Sequence, residues 1–270
     1  MYHNKTILIT GGSSGLGRNL AKQYAKNGGR IINISRDVLK MASLQNRLNQ
    51  INSYEHLYFS GDVSKYSEIN QIKNVLERKN IYPDVVINNA AGNFLCPFNK
   101  LSENGWRRII DIVLHGSFNI YHIFGKHLID NKRSGVFLNV SATYSDTGSA
   151  LVIPSSVAKA GVDNLMRGLT VEWSPHNIRL VGIAPGPIKD SGGAKKLDPL
   201  NIFKYYNNYT NPRKRMASQN EICDLAMYLT SEKADYINGE IIRIDGGEVV
   251  KNSGEFNFLT NIPFYKNIFK

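Results

Sequence analysis

Eight residues near the amino end, Thr10-Gly11-Gly12-Ser13-Ser14-Gly15-Leu16-Gly17, follow directly on the apolar run Ile7-Leu8-Ile9. Glycines at this spacing suit an anion-binding turn. The first permits a tight turn, the next removes a side chain where a phosphate must approach the backbone, and the third lets a helix pack closely on a strand. The free N–H groups and dipole at the start of that helix then face the anion, and the strand–turn–helix context makes it the pyrophosphate of a dinucleotide. Gly11, Ser13, Ser14, Gly15, Leu16 and Gly17 are therefore candidate cofactor contacts.

The end of the second apolar run reads Ile34-Ser35-Arg36. An NAD site places Asp or Glu there to bind the ribose hydroxyls, whereas Arg suits a 2′-phosphate. Arg36 can stack on adenine and pair with phosphate, so the expected cofactor is NADPH. Asp37 is expected to cap the next helix rather than reach the ribose. Asp62, with Val63 beside it, is placed to reach the adenine; its structural role would be to cap a helix starting near Ser64.

These residues need a frame. Short apolar runs at Lys5–Thr10, Arg30–Ile34, His56–Phe59, Asp84–Asn88, Gly135–Val140, Ile178–Ile183 and Ile241–Ile244 alternate with amphipathic stretches such as Leu16–Asn27 and Val38–Ile51. The alternation predicts an α/β fold: a single doubly wound parallel sheet with helices on both faces, the Rossmann fold. Near-continuous apolar runs such as Val85-Val86-Ile87 fit strands buried on both faces. No linker, repeat or low-complexity segment divides the chain, so one domain over residues 1–270 is expected. The Pro- and Gly-rich stretch at about 185–212 is expected to be a mobile substrate lid, with a carboxy-terminal tail at about 250–270.

Composition narrows the possibilities. The chain has 270 residues, 42% of them apolar, and a formal net charge of +11. Lys and Arg are spread along it, with one cluster at Arg213-Lys214-Arg215 and no groove-reading motif, which argues against nucleic acid. A polyanionic cofactor and a polyanionic substrate account for the charge. No stretch is long and apolar enough for a membrane span, and no signal region precedes the first strand, so a cytoplasmic protein is expected. Cys96 and Cys223 fit a reducing compartment, and no Cys/His spacing suggests a metal.

Four motifs in order, Thr10 to Gly17, Asn88-Asn89-Ala90-Ala91-Gly92, Ala158-Lys159-Ala160-Gly161 and Pro185-Gly186-Pro187, resemble the short-chain dehydrogenase/reductase family across nearly the whole chain. The resemblance implies that Asn89, Ala90, Lys159, Pro185, Gly186 and Ile188 join the cofactor site. The usual family site has Tyr four residues before the Lys, Ser thirteen before that Tyr, and Asn on a preceding helix. Here those positions hold Ser155, Ala142 and His115, and only Lys159 remains. An ordinary ketone reductase needs the Tyr hydroxyl as proton donor.

One branch, the 2,4-dienoyl-CoA reductases of the mitochondrial and peroxisomal type, also has Ser at the Tyr position and a Tyr fifteen residues before the Lys, here Tyr144. Asn88 to Phe94, Asp111 to Leu114, Pro185 to Lys189, Leu197-Asp198-Pro199, Ile237-Asn238-Gly239, Asp245 to Glu248 and Ser253 to Asn257 are similar to that branch. This implies NADPH-dependent reduction of a 2,4-dienoyl-CoA to a 3-enoyl-CoA in fatty-acid β-oxidation, through a dienolate whose oxygen is held by Tyr144 and Asn93. Lys159 is expected to bind the nicotinamide ribose, and Ser155 to bond substrate or Lys159. Phe94, Ser155, Lys195 and Lys196 are expected substrate contacts, and a homotetramer is implied. The competing structural readings are a half-buried Tyr144, a turn residue Asn93, a non-catalytic His115, and packing roles for Trp106 and Trp173. The rival functions are a 3-oxoacyl thioester reductase and a non-catalytic NADPH sensor.

Overall fold

Runs rich in Ile and Val become the strands of one sheet because β-branched side chains pack well on a pleated, two-sided surface. The computed structural model describes residues 1–190, 202 and 210–261. Strand β1 (Thr6–Thr10) lies in the middle. On one side it pairs with β2 (Arg30–Ser35), which pairs with β3 (Leu57–Ser60). On the other come β4 (Val85–Asn88), β5 (Gly135–Val140), β6 (Ile178–Pro185) and β7 (Ile241–Ile244). All pairs are parallel, and the order is β3-β2-β1-β4-β5-β6-β7. The doubly wound expectation holds. The chain departs from β1 and from β4 in opposite directions, and this switch opens a crevice at the carboxyl ends of the strands.

The period of two divides the core. Ile7, Ile9, Ile87, Val181 and Ile183 face one side, where α1 (Gly15–Lys26) and α9 (Gln219–Thr230) cover them with Leu20, Tyr24, Ile222 and Ala226. Leu8, Val86, Phe137 and Leu180 face the other, packed by Tyr121, Phe124, Val162 and Met166. Their helices are α4 (Glu103–Ile110), α5 (Gly116–Ile120) and α6 (Lys126–Asp130), joined by π turns at Asp111–His115 and Tyr121–Gly125, and the long α8 (Ile153–Trp173). A single turn, α7 (Tyr144–Thr147), lies between β5 and α8, and α10 (Glu248–Ser253) follows β7.

The outer helices α2 (Val38–Asn49) and α3 (Tyr66–Arg78) show the cap expected of Asp37 and not the alternative cap role of Asp62. Asp37 does cap α2, accepting from the Lys40 N–H at 3.0 Å. Asp62 does not cap α3. It accepts from the N–H and Oγ of Ser64 in a turn before the helix, which begins at Tyr66 behind Lys65. The short side chain of Asp62 reaches only two residues on. Of the expected lid, residues 191–201 and 203–209 lie outside the described residues, among them Lys195 and Lys196. The final nine positions of the expected tail also lie outside them.

Trp173 is nearly buried and stacks obliquely on Phe137, with ring centroids 5.5 Å apart. It also lies over the second π turn, where a Cβ on Gly125 would come within 2.1 Å of its ring. Gly125→Ala is therefore expected to lower unfolding free energy by about 1–3 kcal/mol, as overpacking does, in a urea denaturation measurement. An unchanged midpoint would show that the ring moves aside freely.

Candidate functional site

The glycine loop closes the end of β1. Gly11 adopts a positive φ of 69°, and its N–H donates to the Ile34 carbonyl at 2.8 Å. A Cβ on Gly17 would lie 2.5 Å from the Gly11 carbonyl oxygen, and one on Gly12 would strike Asn33 Oδ1. The loop thus leaves no room for side chains on the crevice floor. Ser13 Oγ bonds Ser35 Oγ at 2.8 Å, tying the loop to β2. Thr10 Oγ1 accepts from the N–H groups of Asn89 and Ala90 at 3.0 and 2.9 Å, and Asn89 Nδ2 donates to the Thr10 carbonyl at 2.9 Å. Ser14 is exposed, and its side chain caps none of the first α1 N–H groups. This uncluttered cradle at a helix N-terminus fits the phosphates of a dinucleotide. Leu16 points into the core instead, so only its backbone can face a ligand.

At the end of β2, Arg36 Nη1 lies 3.6 Å from Asp62 Oδ2, with the guanidinium mostly exposed. Burial opposes ionisation of Asp62, but the Ser64 bonds and the charges of Arg36 and Lys65 outweigh it and hold its carboxyl below the usual range. Val63 is buried, and its carbonyl accepts from Asn119 Nδ2 at 2.8 Å. Helices α1 and α2 nearby carry Arg18, Lys22, Lys26, Lys40 and Arg47 and no carboxylate. Burial, then the charges of Arg18, Arg47 and Lys26, pushes the Lys22 ammonium down.

At the ends of β4 and β5 three expected residues meet. Asn93 Nδ2 donates to Tyr144 Oη at 3.3 Å, and Tyr144 Oη pairs with Ser155 Oγ at 3.1 Å. The turn α7 sets the ring, and Ser156 Oγ anchors it by donating to the Tyr144 carbonyl at 2.8 Å. Asn93 is itself fixed, its Oδ1 accepting from the Phe94 N–H. Burial pushes the Tyr144 hydroxyl pKa up, against the opposing bonds from Ser155 and Asn93, so the phenol stays a proton-bearing donor at neutral pH. Ser155 is buried and turns to Tyr144 rather than to Lys159. Lys159 is buried too and donates to the Val140 carbonyl at 2.5 Å. Burial drives its ammonium down to about 8, against the opposing charge of Asp163.

The remaining candidates lie nearby or apart. Phe94 packs on Ile109, Val113 and Ala158, which gives it a place in a small core cluster. Gly186 donates to the Ile244 carbonyl, and a Cβ there would press on Asp245. Ile188 is buried and bridges in parallel to Ala217. Beside this turn an open cleft of about 260 Å³ is lined by Pro187, Asn211, Arg213 and Arg215. His115 is exposed and bonds Asp111 at 2.9 Å, on the outer side of its helix. Among the described residues no cluster of His, Cys, Asp or Glu could hold a metal, and no helix is long and apolar enough to cross a membrane. Sequence reasoning missed the buried polar chain behind Lys159, made of Asp163, Ser141, Asn139, Asn88 and Ser117. Its one signal is a carboxylate four residues after the lysine on a buried helix face.

A parallel sheet with this switch point and this glycine loop defines a dinucleotide-binding α/β protein. Residues 5–200 match the short chain dehydrogenase family, and the chain belongs to it. It is 40% identical over 247 residues to the probable, (2E)-enoyl-CoA-producing 2,4-dienoyl-CoA reductase of Bacillus subtilis strain 168, covering 90% of this chain and 96% of that one. It is 32% identical to the peroxisomal, (3E)-enoyl-CoA-producing 2,4-dienoyl-CoA reductase of Mus musculus, covering 92% and 84%. A crystal structure of a short chain dehydrogenase from Bacillus anthracis superposes with a TM-score of 0.83 at 38% identity, covering 91% and 96%. Levodione reductase superposes at 0.85 with 26% identity, covering 93% and 99%. The protein is thus an oxidoreductase of this family, whose fold binds a nicotinamide cofactor.

Proposed function

We propose that the protein reduces a 2,4-dienoyl-CoA to a 3-enoyl-CoA with NADPH, and that Tyr144 and Asn93 hold the thioester oxygen. The observation that carries this reading is the convergence of Asn93 Nδ2 and Ser155 Oγ on one half-buried phenol, Tyr144 Oη. Gly11, Ser13, Ser14, Gly15, Gly17, Arg36, Asp62, Asn89, Ala90, Pro185, Gly186 and Ile188 would hold the cofactor, and Lys159 its ribose. Reduced nicotinamide, once bound there, would supply a hydride to the distal carbon of the diene. The negative charge would then be delocalised to the thioester oxygen, to which Tyr144 and Asn93, from adjacent strand ends, would donate. Protonation at C2 completes a 3-enoyl product; protonation at C4 would give the 2-enoyl product named for the Bacillus relative. A preorganised donor facing developing charge is worth about 3–4 kcal/mol.

A 3-oxoacyl thioester reductase would need Tyr144 as its proton donor. A cofactor-binding sensor would not need Tyr144, Asn93 and Ser155 to converge. Incubation with NADPH and a short 2,4-dienoyl-CoA, with the product double bond assigned by NMR, separates the readings. Oxidation of NADPH with a 3-enoyl product is expected. Reduction of a 3-oxoacyl-CoA instead, or binding without turnover of any thioester, would reject the proposal.

Tyr144→Phe and Asn93→Ala are each expected to cut turnover by roughly a hundredfold or more, with smaller effects on substrate affinity, because the oxygen bears charge mainly in the transition state. The double variant should lose less than the product of the singles, and Ser155→Ala should be milder. Near-full turnover in Tyr144→Phe with none in Ser155→Ala would return the usual role to position 155.

The cofactor choice rests on Arg36, whose guanidinium is exposed and spans to Asp62. Arg36→Ala is expected to weaken NADPH binding by up to about 1.5–3 kcal/mol and NADH binding far less. Equal losses in calorimetric titrations would remove the assignment. The proposed homotetramer is checked by light scattering at micromolar concentration, where a monomer mass would refute it.

A further inference from the structure

Four residues beyond Lys159 on α8, Asp163 is 1% exposed. An isolated buried carboxylate is costly, so its bonding needs an explanation. Asn139 Nδ2 donates to Oδ1 at 2.9 Å, and Ser141 Oγ donates to Oδ2 at 2.6 Å. Both donors stand on or just past β5. The chain continues away from the site: Asn88 Nδ2 donates to Asn139 Oδ1 at 3.3 Å and to Ser117 Oγ at 2.7 Å, and Ser117 Oγ donates to the Val113 carbonyl at 2.5 Å. Burial pushes the Asp163 pKa up, and donors on both oxygens with the charges of Lys159 and Arg167 work against that and favour the ionised form.

Lys159, meanwhile, spends one of its three donors on Val140. Among the described residues no carboxylate stands within ion-pair distance of it. The groups facing the pair are few. On α8 they are Arg167, whose charge acts on Asp163, and Lys159 itself. From the π turn, the buried Tyr121 hydroxyl feels the charge of Asp163, with the Asn88 side chain beside it. From β5 and α7 come the neutral Asn139, Ser141 and Ser145.

We propose that Asp163 is a positioning residue for Lys159: a carboxylate pinned to β5 that keeps the buried lysine charged through space, without capturing the donors the lysine needs for its ligand. A carboxylate free to swing would form a direct ion pair and occupy those donors. Held by Ser141 and Asn139, it supplies charge alone. The rest of the chain, through Asn88 and Ser117, fixes Asn139 so that the carboxylate keeps its place.

The titration of Lys159 tests this in the ligand-free protein. Only the consequence for turnover rests on the function proposed above. Protein labelled with [ε-¹³C]lysine, with the Lys159 signal assigned by its loss in Lys159→Arg, is titrated by NMR. Removing a nearby opposite charge lowers an ammonium pKa, so Asp163→Asn should bring the Lys159 midpoint down by about one pH unit or more. Asp163→Glu should restore part of it. Ser141→Ala, which keeps the carboxylate but frees it to swing toward the lysine, should move the midpoint the opposite way, upward. It serves as the test should Asp163→Asn fail to fold. The alkaline limb of the turnover profile should shift to lower pH in parallel. A Lys159 midpoint that stays in place in both Asp163→Asn and Ser141→Ala would overturn the proposal. A shifted midpoint in a protein that reduces no dienoyl-CoA would reject the proposed reaction and leave the pairing intact.

Discussion

Thr10 joins the ends of β1 and β4, and both halves of the site hang from that join. Its hydroxyl oxygen accepts from two successive backbone N–H groups, Asn89 and Ala90, while Asn89 returns a bond to the Thr10 carbonyl. Parallel neighbours from distant parts of a chain have no turn to fix their ends. Without these bonds the glycine loop on β1 and the Ala90–Asn93 turn on β4 would sit on strands whose tips part at the switch point. With them, the phosphate cradle and the Asn93 amide keep one geometry.

Desolvation then sets the chemistry behind that join. The same dry environment acts in opposite senses on two neighbours, raising the Tyr144 phenol and lowering the Lys159 ammonium to about 8. Each shift disfavours the charged form. For the phenol that is an advantage, since a protonated hydroxyl is a donor. For the lysine it is a liability, since the ammonium lies close to losing its proton near neutrality, and the buried negative charge of Asp163 opposes the loss. The site therefore needs its polar interior as well as its surface residues, and hydrogen bonds must satisfy every carboxylate and amide placed there.

Most of the frame was legible in the residues. Ile- and Val-rich runs bounded by Gly, Pro and polar residues place the strands within one or two positions, because a two-sided sheet tolerates little else. The glycine loop was legible for the same reason: Gly11, Gly12 and Gly17 sit where backbone or side chains leave no space for Cβ. The π turns were not legible, since one extra residue in a helical turn leaves almost the same apolar periodicity. The competing structural role of Asp62, a helix cap, is not seen because a short carboxylate can serve a turn or a cap with the same local pattern. In the site, Tyr144 and Asn93 were paired from the ends of their strands, whereas Ser155 was expected to bond substrate or Lys159 and instead meets Tyr144. Their meeting depends on how α7 and the start of α8 fold back, which no spacing reveals. Asp163 passed unnoticed because an acid within a long helix ordinarily reads as surface.

The contact between Ser155 and Tyr144 also bears on how such a site could change over evolutionary time. Ser155 is buried with its hydroxyl 3.1 Å from the phenol oxygen. A larger side chain at the buried position 155 would crowd the phenol of Tyr144. The two positions are therefore coupled: a change at one alters the surroundings of the other, and over evolutionary time they are expected to vary together rather than one by one.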